Sequence, residues 1–260
     1  MRFLLTLILI LPMLSGPLAA ETSRLKTLAT GDDTRGWQGV GRLEIGDHSF
    51  CTGALIAPDL VLTAAHCLFS KETGEMVAAS DIRFLAGWRN GRAEAYRGAQ
   101  RAAVHPGYDY IDRDRIARVA SDIGLIRLDK PIRLPSIQPF DLNATPYPGD
   151  QVGVVSYARD RSEAPSLQEV CEVLKRDGDV LLMSCAAEFG ASGAPVFSMR
   201  NGEAPQIVSV ISAKAEMDGA RVSLGTAVDA VDEVRATLDG PDIGGASVTK
   251  RLGAKFLRPE

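Results

Sequence analysis

Leu62-Thr63-Ala64-Ala65-His66-Cys67 closes an apolar, β-prone run, Leu55-Ile-Ala-Pro-Asp-Leu-Val-Leu62, and sets a histidine beside a cysteine. Histidine is the usual general base near neutral pH, because its unperturbed pKa is about 6.5. A strand that delivers such a base, tied down by a disulfide at the next residue, mounts it rigidly. Taken by itself, His66 is equally readable as a satisfied core histidine. The rest of the chain decides between the two.

The 260 residues are 45% hydrophobic and 24% charged, with a formal net charge of −4. That is ordinary globular composition, enough for one sizeable domain or two small ones. The mildly acidic balance gives no electrostatic footprint for nucleic acid. Met1-Arg2, the apolar stretch Phe3 to Leu14, and the small residues Leu18-Ala-Ala20 before Glu21 have the form of a secretory signal peptide cut after Ala20. The apolar run is short for a hydrocarbon core of about 30 Å. Residues 1–20 are therefore expected to be removed, leaving a secreted or periplasmic protein with no stable membrane anchor. In that oxidising setting the four cysteines, Cys51, Cys67, Cys171 and Cys185, allow three disulfide pairings. Zinc is the rival use. Neither neighbouring pair has CxxC spacing, however, and the histidines are only His48, His66 and His105, so no metal site is expected.

Residues 21–35 are polar and contain Gly31-Asp-Asp-Thr, the pattern of a propeptide or flexible arm. From Trp37 the chain becomes short apolar runs between turn residues: Gly39 to Ile45, Phe50 to Leu62, Ile82 to Gly87 and Ile123 to Leu128. Many short strands at this spacing indicate an all-β barrel or sandwich. Asp129 to Pro139 carries three prolines and reads as an extended connector. The strand pattern then restarts over Pro148 to Tyr157, Val180 to Met183, Ala194 to Ser198, Ile207 to Ser212 and Arg221 to Ala227. Two strand-rich halves result, about 36–130 and about 140–238. Val228, Val231, Val234 and Leu238 recur at helical spacing and predict one amphipathic helix. Residues 239–260, with Lys250, Arg251, Lys255 and Arg258, read as a flexible, solvated tail.

Three stretches carry the chemistry together: Thr63-Ala-Ala-His66-Cys67, Ser121-Asp-Ile-Gly-Leu-Ile-Arg-Leu128 and Gly190-Ala-Ser-Gly-Ala-Pro195. In sequence and in the order His, Asp, Ser they resemble the motifs of the chymotrypsin-like (trypsin-fold) serine peptidases. The likeness covers roughly Trp37 to Leu238. It implies two packed six-stranded antiparallel β-barrels with a C-terminal helix, a protein or peptide substrate, and no cofactor. It also implies a catalytic triad of His66, Asp122 and Ser192, an oxyanion hole from the Gly190 and Ser192 N–H groups, and disulfides Cys51–Cys67 and Cys171–Cys185. A serine hydroxyl is a poor nucleophile until a base takes its proton, which is the role this resemblance gives His66.

The chain departs from the family in places. Ala191 stands where the trypsin-type members carry an aspartate before the serine, and there is no Ile-Val-Gly-Gly start; the nearest segment is Arg35-Gly-Trp-Gln-Gly-Val. Activation by insertion of a new N-terminus is therefore not expected. Cys185-Ala-Ala-Glu-Phe-Gly190 has the spacing of exported bacterial members of the glutamyl-endopeptidase type. Ala186 falls at the base of the primary pocket, where a Lys/Arg-specific enzyme has an aspartate, so basic specificity is not expected. Ser212 and Lys214 lie on the strand that resembles the one lining the pocket, with Lys214 narrowing its entrance or attracting an acidic residue, or else facing solvent. Ile211 replaces the histidine of the glutamyl endopeptidases. His105 is given no catalytic role. Two rivals remain open: a catalytically silent homologue used as a protein-binding module, and an esterase with poor peptide cleavage.

Overall fold

The computed structural model describes residues 23–46, 49–143, 146–199, 203–217 and 219–240. The signal-peptide segment, His48 and the tail beyond Gly240 lie outside these residues.

The first barrel closes from β2 (Val40–Ile45), β3 (Ser49–Ala57), β4 (Leu60–Thr63), β5 (Ile82–Ala86), β6 (Ala95–Val104) and β7 (Gly124–Leu128), all antiparallel, in the order β2-β3-β4-β7-β6-β5. The apolar run expected over Phe50 to Leu62 is two strands. Pro58-Asp59 makes a tight turn between them, proline fixing the φ that such a turn requires. The second barrel is built from β8 (Gln151–Ala158), β9 (Arg161–Asp177), β10 (Val180–Met183), β11 (Pro195–Ser198), β12 (Gln206–Met217) and β13 (Ala220–Ala227). It closes where β9 pairs with β8. A six-residue helix, α1 (Arg115–Ala120), precedes β7, its start capped by Asp114, whose side chain accepts from the Ile116 and Ala117 N–H groups. The C-terminal helix α2 (Val231–Asp239) buries Val231, Val234 and Leu238 of the predicted stripe; Val228, also buried, precedes the helix. Two barrels with a C-terminal helix are the expected architecture.

Three apolar clusters hold this together. One fills the first barrel and includes Leu43, Phe84 and Ile126. A second fills the other barrel and includes Val154, Leu181 and Ile211. The third is the seam between them, where Leu62, Ile123 and Phe140 meet Tyr157, Phe197 and Val210. Trp37 packs edge-on to Phe197, with ring centroids 5.0 Å apart. The proline-rich connector is extended, as expected, and turns Ile132 and Ile137 into the first barrel.

From Ser23 onward, the segment expected as a propeptide or flexible arm is docked on the second barrel. Its short strand β1 (Lys26–Thr27) pairs with Leu167 and Ser166 of β9. Leu28 enters the seam at 1% exposure, and its N–H donates to the Pro165 carbonyl at 2.8 Å. The polar composition hid this, because a single buried leucine and backbone pairing do the docking.

Candidate active site

Strand register brings the histidine and the aspartate together. Thr63 of β4 pairs with Gly124 of β7, so the chain leaving β4 and the chain entering β7 run off the same end of the barrel. His66 follows in a 3-10 turn, Ala65–Leu68, and Asp122 stands two residues before Gly124. The second barrel repeats the device. Pro195 of β11 pairs with Val210 of β12, so the serine turn and Ser212 project from one end, onto the seam.

Asp122 is 2% exposed and accepts three donors. The His66 N–H reaches Oδ1 at 2.8 Å, and His66 Nδ1 lies 2.7 Å from Oδ2. Ser212 Oγ also donates to Oδ2. A carboxylate so placed holds Nδ1 as the protonated nitrogen and leaves the Nε2 lone pair for other work. Beside Nε2 lies Cys67 Sγ at 3.9 Å. That sulfur is bonded to Cys51, and the second disulfide joins Cys171 to Cys185. Cys51, Cys67 and His66 cluster closely enough to suggest a metal trio, but a disulfide offers no thiolate, so this trio is no metal centre.

Ser192 is half-buried on a turn pressed against the first barrel. Gly193, at φ +74°, makes the approach possible: a Cβ there would stand 2.1 Å from Thr63 Oγ1 and 2.9 Å from Ala64 N. The turn thus abuts Ala64, two residues from His66. Among the described residues, no hydrogen bond joins Ser192 Oγ to His66. Neither the Gly190 nor the Ser192 N–H has an acceptor among them either, which leaves two unpaired donors on one turn.

Ala186 is half-buried, and its N–H donates to Gln168 Oε1 at 2.8 Å. Gln168 Nε2 in turn reaches the Ser23 carbonyl of the docked arm at 3.1 Å. Lys214 is exposed, but its ammonium is not without partners. Its Nζ lies 3.4 Å from Glu188 and 4.1 Å from the centre of the Phe189 ring, bridging β12 to the segment ahead of the serine. His105 pairs with Glu233 of α2 at 3.5 Å, away from this constellation.

Sequence reasoning missed a cleft beside His66, lined by Tyr108, Tyr110, Arg115, Arg118, Val119 and Leu224. Burial, with the Asp122 carboxylate second, pushes the Tyr108 phenol well above its ordinary range, so it stays a neutral O–H. The apolar face of this cleft is prepared by Phe69, stacked on Tyr110 at 5.0 Å. The loop's mix of arginine, aspartate and tyrosine carries no periodicity that could have announced it.

Two closed barrels with a histidine–aspartate pair in their seam define the chymotrypsin-like class. The trypsin family matches residues 29–233, well over half of the chain. The chain belongs to that family. Among curated proteins it is 36% identical over 92 residues to the trypsin of Squalus acanthias, covering 35% of this chain and 34% of that protein. It is 35% identical over 114 residues to serine protease 7 of Drosophila melanogaster, covering 39% and 27%. The chain thus spans about a third or less of the curated relatives it matches. A solved Glu endopeptidase in complex with MPD superposes with a TM-score of 0.67 at 20% identity, covering 82% of this chain and 95% of that one. An inactivated protease paralogue of the scabies mite gives 0.61 at 17% identity, covering 78% and 93%. At those identities the likeness is one of fold.

Proposed function

We propose that the chain is an exported serine endopeptidase, with Ser192 as nucleophile, His66 as general base and Asp122 as the carboxylate that orients the imidazole. The observation that carries this reading is the double grip of Asp122 on the backbone N–H and ring of His66. His66 Nε2 takes the Ser192 proton as Oγ attacks the scissile carbonyl, and the unpaired N–H groups of Gly190 and Ser192 receive the oxyanion. His66 returns the proton to the leaving amine, and water then releases the acyl-enzyme by the same steps. No cofactor enters this chemistry.

Ala186 forms the base of the primary pocket, with Ser212 and Lys214 along its wall. An uncharged base offers Lys or Arg no partner, and the Lys214–Glu188 bridge narrows the mouth. A small or aliphatic side chain is the expected fit. Export rests on the form of residues 1–20 and on two disulfides. Among the described residues, no helix is long and apolar enough to cross a membrane.

Fluorophosphonate labelling of the signal-free protein, beside Ser192→Ala and His66→Ala, tests the reading. Labelling of the parent alone is the expected result. A folded, disulfide-bonded parent that stays unlabelled, both before and after trimming through Arg35, overturns it in favour of the silent binding module; labelling restored by trimming marks a zymogen. That second reading draws on the unmade Ser192–His66 bond and on the fold likeness to an inactivated paralogue. Matched ester and amide substrates then separate a peptidase from an esterase.

A further inference from the structure

We infer that Thr52 is a positioning residue for the oxyanion turn. The purpose of the turn rests on the hydrolytic reading above; the geometry does not. Ala191 is apolar and fully buried, so no ion pair can hold the turn from that position, and its hydrogen bonds must come from elsewhere.

An accounting of the peptide groups from Phe189 to Gly193 shows where they come from. The Phe189 carbonyl accepts from Arg159 N–H at 2.7 Å, and the Ala191 carbonyl accepts from Ala194 N–H at 3.0 Å. The Gly190 carbonyl accepts from Thr52 Oγ1 at 2.9 Å, and the Ser192 carbonyl from Thr52 N–H at 2.9 Å. The Ala191 N–H donates to Glu188 O and the Gly193 N–H to Ile211 O. Only the Gly190 and Ser192 N–H groups remain. The Gly190 N–H lies in the peptide plane of the Phe189 carbonyl and the Ser192 N–H in that of the Ala191 carbonyl, planes held by Arg159 and Ala194. Thr52 holds the alternate planes, Gly190–Ala191 and Ser192–Gly193, and so limits how far the two unpaired N–H groups can turn against them. Gly190 needs this most, because at φ +102° it has no side chain to restrain it.

Among the described residues, Thr52 is the one side chain hydrogen-bonded to this stretch. It lies 0% exposed on β3 of the other barrel. Its hydroxyl proton goes to Gly190 O at 2.9 Å rather than Tyr157 O at 3.5 Å, while the oxygen accepts the Tyr157 N–H at 3.0 Å. The β-branched side chain is stiff about χ1, which suits a strut.

The test compares the full chain with Thr52→Val, which keeps the shape and removes the donor, and Thr52→Ser, which keeps the donor. Turnover and KM are measured on a peptide substrate, beside the affinity of a peptide boronate that forms a tetrahedral adduct. Thr52→Val should lose about 10- to 100-fold in kcat, part of the 10²–10³ that goes with a whole oxyanion donor. KM should hold within about threefold, boronate affinity should fall in step with kcat, and Thr52→Ser should keep most of the parent's turnover. A Thr52→Val protein with parental kcat, or a loss that Thr52→Ser does not restore, overturns the inference. If Thr52→Val does not fold, Thr52→Cys, a near-isostere with a weak donor, must fall between parent and loss. If the parent itself has no activity, the hydrolytic reading fails. Amide hydrogen exchange then decides the Thr52 claim alone. Ala191, Gly193 and Ala194, the paired amides of the turn, should exchange at least tenfold faster in Thr52→Val than in Thr52→Ser, and equal rates refute it.

Discussion

Three donors converge on the single carboxylate of Asp122, and their removal tests the site most sharply. Asp122→Asn keeps the volume but presents an NH2 where His66 Nδ1 and Ser212 Oγ now donate. The imidazole is then driven to the other tautomer, and turnover should fall by about 10⁴. Thermal unfolding of the same variant should stay close to the parent's, which separates a lost tautomer from a lost fold. Gly193 makes the opposite case, a residue whose failure is structural. Alanine there meets Thr63 Oγ1 at 2.1 Å at a φ of +74°, so urea unfolding of Gly193→Ala should show a loss above about 2 kcal/mol. The candidate triad was legible because each member sits in a local motif. Thr52 and Gln168 were not, since their partners lie far off in sequence: Gly190 is 138 residues from Thr52, and Ser23 is 145 from Gln168.

Among the elements, the strands with alternating aliphatic residues were readable and two long ones were not. β6 reads Ala-Tyr-Arg-Gly-Ala-Gln-Arg-Ala-Ala-Val, and β9 ends Val-Cys-Glu-Val-Leu-Lys-Arg-Asp; alanine, glutamate, lysine and arginine favour helix in isolation. Pairing on both sides, with β5 and β7 for β6 and with β8 and β10 for β9, overrides that preference. The docked arm gives the prediction at this scale. Leu28→Ala should lower stability by about 2–5 kcal/mol in denaturant titration, as for any well-packed leucine truncated in a core. Proteolytic trimming through Arg35 removes β1, Leu28 and the Ser23 contact of Gln168 together, so fluorophosphonate labelling should fall on trimming. A rise would mark the arm as an inhibitory propeptide. The histidine turn depends likewise on its disulfide. Replacing Cys51 and Cys67 by serine releases a loop with a sequence separation of 16, and should lose about 3 kcal/mol, read as a lower urea midpoint.

The whole molecule is organised by its seam. Every group proposed for catalysis lies where the barrels meet, and the third apolar cluster takes residues from both. Neither half could keep His66, Asp122 and Ser192 in register alone, so the barrels should unfold in one transition, with near- and far-ultraviolet circular dichroism changing together. That two halves exist was legible from the proline-rich connector; how they meet was not, because a seam is built from contacts with no local signature. The pairing of β1 with β9 sets a further condition, one of time. A chain delivered N-terminus first presents Lys26 and Thr27 long before Ser166 and Leu167 arrive, so the arm must wait, unpaired, through the emergence of the entire first barrel. Its low hydrophobicity, which made it look dispensable, is what lets an early segment remain unaggregated until its late partner appears.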